Sequence, residues 1–174
     1  MNGSSLPEGY SDSDWGGPST GRKSVSGYIF LLNNAPISWI SRKQTCVATS
    51  SNEAEYMAAS EATKEAIWLR RIWQEMGLSD TQLTPPININ MDNQGAIALT
   101  STEGTKRSKH IDVRFHHTRD SQAQGLIAIN SVRSNDNPAD GLTKVLRSNL
   151  FSQFLRLINM KADDDVAYGG RRNE

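Results

Sequence analysis

One cysteine, three histidines and no net charge are the clearest shortages of this 174-residue sequence. The single cysteine, Cys46, cannot cross-link the fold and is typical of a reducing compartment. The histidines do not form a zinc motif, because His116 and His117 are adjacent and neighbouring histidines rarely share one metal. Lys and Arg number 19, as do Asp and Glu, so the sequence lacks the overall basic charge of many nucleic-acid-binding domains.

Long apolar runs are also missing. No run approaches the ~20 residues needed to cross a bilayer, so we expect no membrane partner. The N-terminus lacks the charged-then-apolar pattern of a signal peptide, and we expect an intracellular location. We expect residues 1–5 to be a cloning remnant or a loose N-terminus, residues 6–160 to form one domain, and residues 161–174 to be a polar flexible tail. As an isolated domain it should be a monomer or a weak oligomer.

The first forty residues predict three consecutive strands, arranged antiparallel. The first strand is predicted around residues 8–15, and the next two flank Asn33-Asn34, a pair that tolerates the positive φ of a tight hairpin turn. Alternation along the first strand points Asp12 and Asp14 to the same face, where two anions repel. Something must offset that repulsion.

A long helix is predicted for "SSNEAEYMAASEATKEAIWLRRIWQEMG", with Ser50 and Glu53 as a capping box and Gly77 just past its end. An apolar stripe runs along one side of this helix and passes through Glu55; its members are Ala58, Ala59, Ala62, Ala66, Leu69, Trp73 and Met76. The other glutamates, which are predicted to point away from the stripe, are Glu53, Glu61 and Glu65. A simpler explanation for Glu55 is that it complements the helix dipole.

Two further carboxylates stand at the ends of predicted elements. Ile87, Ile89 and Met91 alternate with polar residues in a strand that ends at Asp92, and "NQGAIALTS" then turns directly into a helix. A fifth strand is predicted within residues 125–132. Next comes a helix with Asn137 as N-cap and Asp140 in its first turn, where Asp140 can serve simply as a helix-dipole complement.

Four acids therefore stand out on separate grounds: Asp12, Glu55, Asp92 and Asp140. If they converge, their mutual repulsion prevents full ionisation unless they hold hard divalent cations. Oxygen ligands, without a cysteine pair or a spaced histidine pair, favour Mg²⁺ or Mn²⁺ over Zn²⁺.

The sequence segments around these acids resemble those of the ribonuclease H domain at the end of copia-type LTR retrotransposon polyproteins. They include "GYSDSDWGG", "RKSVSGYIF", "ISWISRKQTCVATSSNEAEYMA", "AIWLRRIWQEMG", "MDNQGAIAL", "KHIDVRFHHTRD" and "NPADGLTK", and together they span roughly residues 8–147. The resemblance implies an α/β ribonuclease H-like fold. Its mixed five-stranded sheet has three antiparallel strands, then two parallel additions, and is flanked by helices.

The resemblance also implies an activity: endonucleolytic hydrolysis of the RNA strand of RNA–DNA hybrids with two Mg²⁺ ions, or Mn²⁺ in their place. The four acids match the family's catalytic and metal-binding positions. Asp14 is then an outer-shell group or a cap of the following loop. Where cellular ribonucleases H usually have a histidine before the last aspartate, this sequence has Ser134 or Asn135, which become candidate outer-shell residues.

Contacts to the hybrid are expected from two sets of residues. Donors to RNA 2′-OH groups would be Ser13, Asn93 and Gln94. Phosphates would be bound by Arg22, Lys23, Arg42, Lys43, Lys106, Arg107 and Lys109, although short basic runs are often only solvated surface. The family context adds a reverse transcriptase domain of the parent polyprotein as partner and a cytoplasmic virus-like particle as location.

Two other functions fit parts of this pattern. One is a nucleic-acid-binding or protein-binding module that has lost catalysis, against which the four intact acids weigh. The other is an integrase-type or resolvase-type nuclease on the same architecture. The glutamate on the long helix after three strands favours ribonuclease H, because integrase-type sites usually draw that acid from a later helix.

Overall fold

The computed structural model describes residues 6–16, 23–78, 84–101 and 109–161, except for the side chains of residues 101 and 109–115. Its centre is a five-stranded sheet in the order β3-β2-β1-β4-β5. The strands are β1 (Glu8–Asp14), β2 (Val25–Leu32), β3 (Ala35–Lys43), β4 (Ile87–Met91) and β5 (Ile127–Ser131). The first three pair antiparallel, whereas β4 pairs parallel with β1 and with β5. The predicted fold class is confirmed.

The turn between β2 and β3 has the conformation that its sequence predicts. Asn33 and Asn34 have φ values of 50° and 64°, as a two-residue hairpin turn with two left-handed positions requires. Asparagine tolerates this region better than other residues with a Cβ, so the pair sets the register of the hairpin.

Helix α1 (Ser51–Glu75) begins and ends where predicted. The Ser50 hydroxyl accepts a hydrogen bond from the Glu53 amide, and Gly77 follows the helix end with a φ of 67°. The Glu53 carboxylate reaches back to accept from the Thr49 amide and hydroxyl, and Glu53 is only 9% exposed. One expectation about the apolar stripe is wrong: Met76, the residue after the last one of α1, is 62% exposed.

Three helices lie on one face of the sheet, since α1 contacts both α2 (Gln94–Ser101) and α3 (Lys109–Ala123). The alanines of the α1 stripe let the helix approach the sheet closely. The main core forms between them, and it consists of Tyr28, Phe30, Ala62, Ala66, Leu69, Ile87, Ile89 and Ile127.

The opposite face is covered by a different kind of structure. Two short 3-10 helices, Ser134–Asp136 and Pro138–Leu142, are followed by helix α4 (Ser148–Leu157). The expected helix after Asn137 is therefore a 3-10 helix, although Asn137 does cap it by accepting from the Ala139 amide. A second core joins this layer to the sheet through Ile29, Leu31, Ala139 and Ile158. None of the helices in the described ranges is long and apolar enough to span a membrane.

Candidate active site

Three carboxylates meet at one edge of the sheet. One side-chain oxygen each from Asp12, Glu55 and Asp92 lies within 4.8 Å of the other two, and we call these residues the acid cluster. Asp12 is on β1 and Asp92 directly follows β4; the two strands are parallel neighbours, so their carboxyl ends point to the same edge. Helix α1 packs over β1 and brings Glu55 from its second turn. The fold thus assembles three of the four predicted acids.

Burial makes these charges costly. Glu55 is 6% exposed, and burial, followed by the charges of Asp12 and Asp92, raises its pKa from 4.5 to about 8. Neighbouring Ser13 opposes this rise only in part. Asp12 is 2% exposed, and burial is also the main reason that its pKa rises from 3.8 to about 6. Without a cation, the cluster is held partly protonated near neutral pH.

Two of the three acids have hydrogen-bond donors from one short stretch of chain. The Thr143 hydroxyl donates to Asp12 Oδ2, and the Ser134 hydroxyl donates to Asp92 Oδ2 over 2.6 Å. Both donors belong to residues 134–144, which we call the 134–144 segment. Each bond occupies one carboxylate oxygen and fixes the direction of the other.

A glycine allows this segment to reach the cluster. Gly27 on β2 pairs with Asp12 on β1, on the face that the 134–144 segment covers. A Cβ at Gly27 would lie 2.8 Å from Thr143 Cγ2 and 3.1 Å from the Ala139 carbonyl oxygen. Any larger residue would therefore push Thr143 away from Asp12.

Asp140 does not join the acid cluster in this structure. Its carboxylate forms an ion pair with the Lys144 ammonium, four residues along the chain. Asp140 is still close enough to raise the pKa of Asp12 by its charge. Burial lowers the pKa of Lys144, but the bond to Asp140 and the charges of Asp12 and Asp92 outweigh it, so the pKa is raised. Lys144 thus contributes one positive charge beside four acids.

The donor set suits a hard divalent cation. All the converging atoms are carboxylate oxygens, the ligands that Mg²⁺ and Mn²⁺ prefer. Glu55 Oε2 is buried and accepts no well-aligned hydrogen bond within the described ranges, although the amide and hydroxyl of Ser13 lie close enough to lower the pKa of Glu55. A buried carboxylate oxygen without a partner is unusual, and a bound cation would satisfy it.

The other polar residues that are predicted to lie near the acid cluster have different surroundings. Asp14 is half-buried at the end of β1 and is not part of the converging oxygens. Asn93 and Gln94 already have partners: Asn93 Oδ1 accepts from the Ala96 amide at the start of α2, and Gln94 Nε2 donates to the Ser131 hydroxyl. Asn135 is exposed, and its carbonyl accepts from Gln153. Of the two candidates in the loop, only Ser134 contacts an acid.

Three of the basic residues predicted to bind phosphates lie outside the described ranges: Arg22, Lys106 and Arg107. Lys109 begins α3, and its side chain is also outside them. Lys23 donates to the Thr45 carbonyl over 3.1 Å. Arg42 pairs with Glu61 at 3.1 Å, and the side chain of Lys43 is exposed beside it.

Sequence reasoning missed Thr143 and Lys144. A signal was present, because in "DGLTK" they stand three and four residues after Asp140, on the same side of one turn. The hydroxyl bond from Thr143 to Asp12 joins positions 131 residues apart and carries no such local signal.

Comparison with known proteins gives relatives and structural neighbours, whereas no protein-family model matches the chain. The chain is 41% identical over 157 residues to the retrovirus-related Pol polyprotein of transposon TNT 1-94 from Nicotiana tabacum, which covers 90% of it. It is 38% identical over 152 residues, or 87% of its length, to that of transposon RE2 from Arabidopsis thaliana. It spans only 12% and 10% of these relatives.

Solved structures of RNase H proteins have a fold similar to that of this chain. The chain superposes with a TM-score of 0.54 on LC11-RNase H1, crystallised in complex with an RNA/DNA hybrid, at 16% identity over 78% of this chain and 92% of that one. The N-terminal RNase H domain of rv2228c from Mycobacterium tuberculosis gives the same TM-score at 14% identity, over 78% of this chain and 95% of that one. The chain is thus homologous to a segment of retrotransposon Pol polyproteins and has the ribonuclease H fold, which confirms the resemblance carried by its motifs.

Proposed function

We propose that this chain is an endoribonuclease that hydrolyses the RNA strand of RNA–DNA hybrids with two Mg²⁺ ions, for which Mn²⁺ can substitute. The observation that carries the proposal is the acid cluster, in which three carboxylate oxygens lie within 4.8 Å of one another and the buried Glu55 Oε2 has no partner among the described residues. The ribonuclease H fold and the relationship to Pol polyproteins support the same activity.

In this proposal Asp12, Glu55 and Asp92 hold the divalent ions. When bound, the ions supply Lewis acidity that activates a water and offsets charge on the leaving 3′ oxygen. Thr143 and Ser134 keep one oxygen of Asp12 and of Asp92 occupied, so each acid presents its other oxygen. Asp140, which pairs with Lys144, would be the fourth acid of the set and would add its charge to the binding of the ions.

The chain's other polar residues would bind and orient the hybrid. Ser13 lies beside Asp12 in β1 and next to Glu55, and we propose that it contacts an RNA 2′-OH next to the bond that is cut. Asn93 and Gln94 follow Asp92 and would contact the same groove, while the basic residues bind phosphates.

The proposed setting is reverse transcription. The Pol polyproteins related to this chain are far longer than it, and we propose that a reverse transcriptase domain of the parent polyprotein delivers the hybrid within a cytoplasmic virus-like particle. LC11-RNase H1, whose fold this chain shares, has been crystallised with an RNA/DNA hybrid, which supports the choice of substrate.

A strand-specific cleavage assay tests the proposal. An RNA–DNA hybrid labelled on either strand is incubated with Mg²⁺, beside duplex DNA of the same sequence. We expect internal cuts in the RNA strand alone. Equal cutting of duplex DNA would instead favour an integrase-type nuclease, and binding without cutting would favour a module that has lost catalysis.

An isosteric substitution ties the cutting to the acid cluster. Asp92→Asn keeps the size of the side chain but removes one anionic oxygen from the site, so cutting should fall by at least about 100-fold. Asp120→Asn makes the same chemical change on the exposed surface of α3 and should cut like the parent. If both variants cut like the parent, the acid cluster is not the catalytic centre.

A further inference from the structure

A second cleft lies between the end of β3 and the outer side of α1. Its volume is about 270 Å³, and its walls carry Arg42, Lys43, Gln44 and Thr45 from β3 and the residues after it, with Glu61 and Lys64 from α1. None of the four acids discussed above lines it. We call it the basic cleft.

Positive charge exceeds negative charge in the basic cleft. Arg42, Lys43 and Lys64 line it, and the Lys23 ammonium donates to the carbonyl of Thr45, another lining residue, over 3.1 Å. The anionic residue in its lining is Glu61, which bonds Arg42 at 3.1 Å and Lys64 at 3.0 Å. Both cationic side chains stay about half exposed, so they remain open to a second anion.

Beneath these charges the basic cleft is lined by the polar residues Ser26 and Gln44 and by the apolar Met57. Gln44 is 6% exposed, and its amide nitrogen donates to the Ser26 hydroxyl at 2.8 Å and to the Ala54 carbonyl at 2.9 Å. These two bonds fix the orientation of the amide and leave Gln44 Oε1 buried, with no partner within the described residues. Because this oxygen is an acceptor, only a donor such as water can satisfy it, and an anion in the cleft would be bound by the cationic side chains above it.

The distance from the acid cluster suits a continuous nucleic-acid strand. Arg42 pairs with Ser26, and Ser26 pairs with Ser13 next to Asp12, so the separation is two strand spacings, or about 10 Å. Along α1, Glu61 is six residues beyond Glu55, a rise of about 9 Å. Both measures correspond to roughly three base-pair steps of a duplex.

The geometry points to the basic cleft as a binding site for a backbone phosphate of the hybrid, about three base-pair steps from the cut. The Glu61 carboxylate holds Arg42 and Lys64 in place and competes with the phosphate for these two cations. The inference rests on the proposed function for its ligand, and it goes beyond the phosphate contacts expected of Arg42 and Lys43. It adds Lys64 as a contact and makes Glu61 a residue that limits affinity.

Hybrid binding without metal tests the inference, because the substrate then stays intact. Lys64→Ala should weaken binding and reduce the log–log salt slope by about 0.9, so the drop in affinity between 50 and 200 mM salt becomes roughly 3-fold smaller. Glu61→Gln should do the opposite and tighten binding, since two cations lose their competing anion. Arg156→Ala, on exposed α4 across the sheet, removes the same charge elsewhere and is the control for Lys64→Ala.

The outcomes separate this inference from the proposed function. If the parent cuts hybrids but Lys64→Ala matches Arg156→Ala and Glu61→Gln binds no tighter, the basic cleft is overturned and the activity stands. If the parent fails to cut while both cleft variants shift affinity as expected, the activity fails and the cleft stands. Binding of polyglutamate in place of the hybrid, lost in Lys64→Ala, would assign the cleft to an acidic protein segment and also overturn the inference.

Discussion

The acids of the site and the groups that hold them come from two very different parts of the molecule. Asp12, Glu55 and Asp92 stand on β1, on α1 and directly after β4, which are regular elements that contact one another. Their partners Ser134 and Thr143 come from the 134–144 segment, which consists of 3-10 turns on the opposite face. One part sets where the three carboxylates are, and the other orients the carboxylates of Asp12 and Asp92.

The two parts of the molecule also have different effects on the pKa values of the acids. Glu55, which is bound only to the regular part, has an oxygen with no partner among the described residues and a pKa near 8. Asp12 is more deeply buried, yet its pKa rises only to about 6, because the Thr143 hydroxyl and the Lys144 charge lower it. The 134–144 segment thus keeps Asp12 closer to the ionised form that binds a cation.

The largest effect should follow from changing the acid without a partner. Glu55→Gln keeps the shape of the side chain and removes its charge, so we expect cleavage of the hybrid to fall by at least about 100-fold, with Mn²⁺ binding weakened as well. Calorimetric titration with Mn²⁺ measures the second effect without relying on activity. Glu65→Gln, on the same helix but bonded to Ser38 at 2.5 Å, is the matched control and should cut normally.

Stability of the metal-free protein should depend on pH in an unusual direction. The folded-state pKa values of Glu55 and Asp12 are raised, to about 8 and about 6, above ordinary values of 4.5 and 3.8. Between about pH 4 and pH 8 the folded state therefore binds more protons than the unfolded chain, and the free energy of unfolding falls as pH rises. In EDTA the melting temperature should be higher at pH 5.5 than at pH 8.

Two comparisons isolate the cause of that pH dependence. Glu55→Gln should remove most of the decrease, since glutamine does not titrate. Mg²⁺ should raise the melting temperature of the parent more at pH 8 than at pH 5.5, because its ligands are then deprotonated. A parent and a Glu55→Gln variant with the same slope would show that the buried glutamate does not control it.

An intermediate effect should follow from removing a donor of the 134–144 segment. Thr143→Val preserves the volume of a buried side chain and deletes the hydroxyl that bonds Asp12. Loss of such a partner typically costs 10–100-fold in metal affinity, and we expect the Mg²⁺ concentration for half-maximal cleavage to rise by about that factor. Near-parent folding, shown by circular dichroism, would separate this effect from a general loss of structure.

The exposed donor provides the comparison. Ser134→Ala removes the bond to Asp92, but water can replace a hydroxyl at an exposed position, so the loss should be under about 10-fold. If Ser134→Ala were more damaging than Thr143→Val, burial would not determine how much each donor matters.

The same division explains what the sequence could and could not predict. Asp12, Glu55 and Asp92 were found because each lies in an element with a readable period or boundary: an alternating strand, an apolar helical stripe and a strand-to-helix junction. Asn33-Asn34 and Gly77 marked turns because few other residues adopt their φ values at low cost. Regular structure has local rules, and the acids follow them.

No such local rule predicts which residues donate hydrogen bonds to the acids. Thr143 reaches Asp12 only because Gly27, on another strand, leaves room for it, and neither residue reveals the other. Two local contacts also fall outside these rules. The Glu53 carboxylate accepts from Thr49, and the Asp140 carboxylate pairs with Lys144, each partner being four residues away. The spacing allows such pairs, but periodicity does not determine which of them form.

The smallest expected effect concerns Lys144. Its ion pair with Asp140 is partly exposed, so it contributes only about 0–1 kcal/mol to folding, and Lys144→Gln should lower the melting temperature slightly. The same change removes a positive charge beside the acid cluster and frees the Asp140 carboxylate, so Mn²⁺ should bind about 2- to 5-fold more tightly. Calorimetric titration measures this, with Lys144→Arg as the control that keeps the charge and should match the parent. Weaker Mn²⁺ binding in Lys144→Gln would mean that Lys144 is required to hold Asp140 near the site, rather than competing with the cation for it.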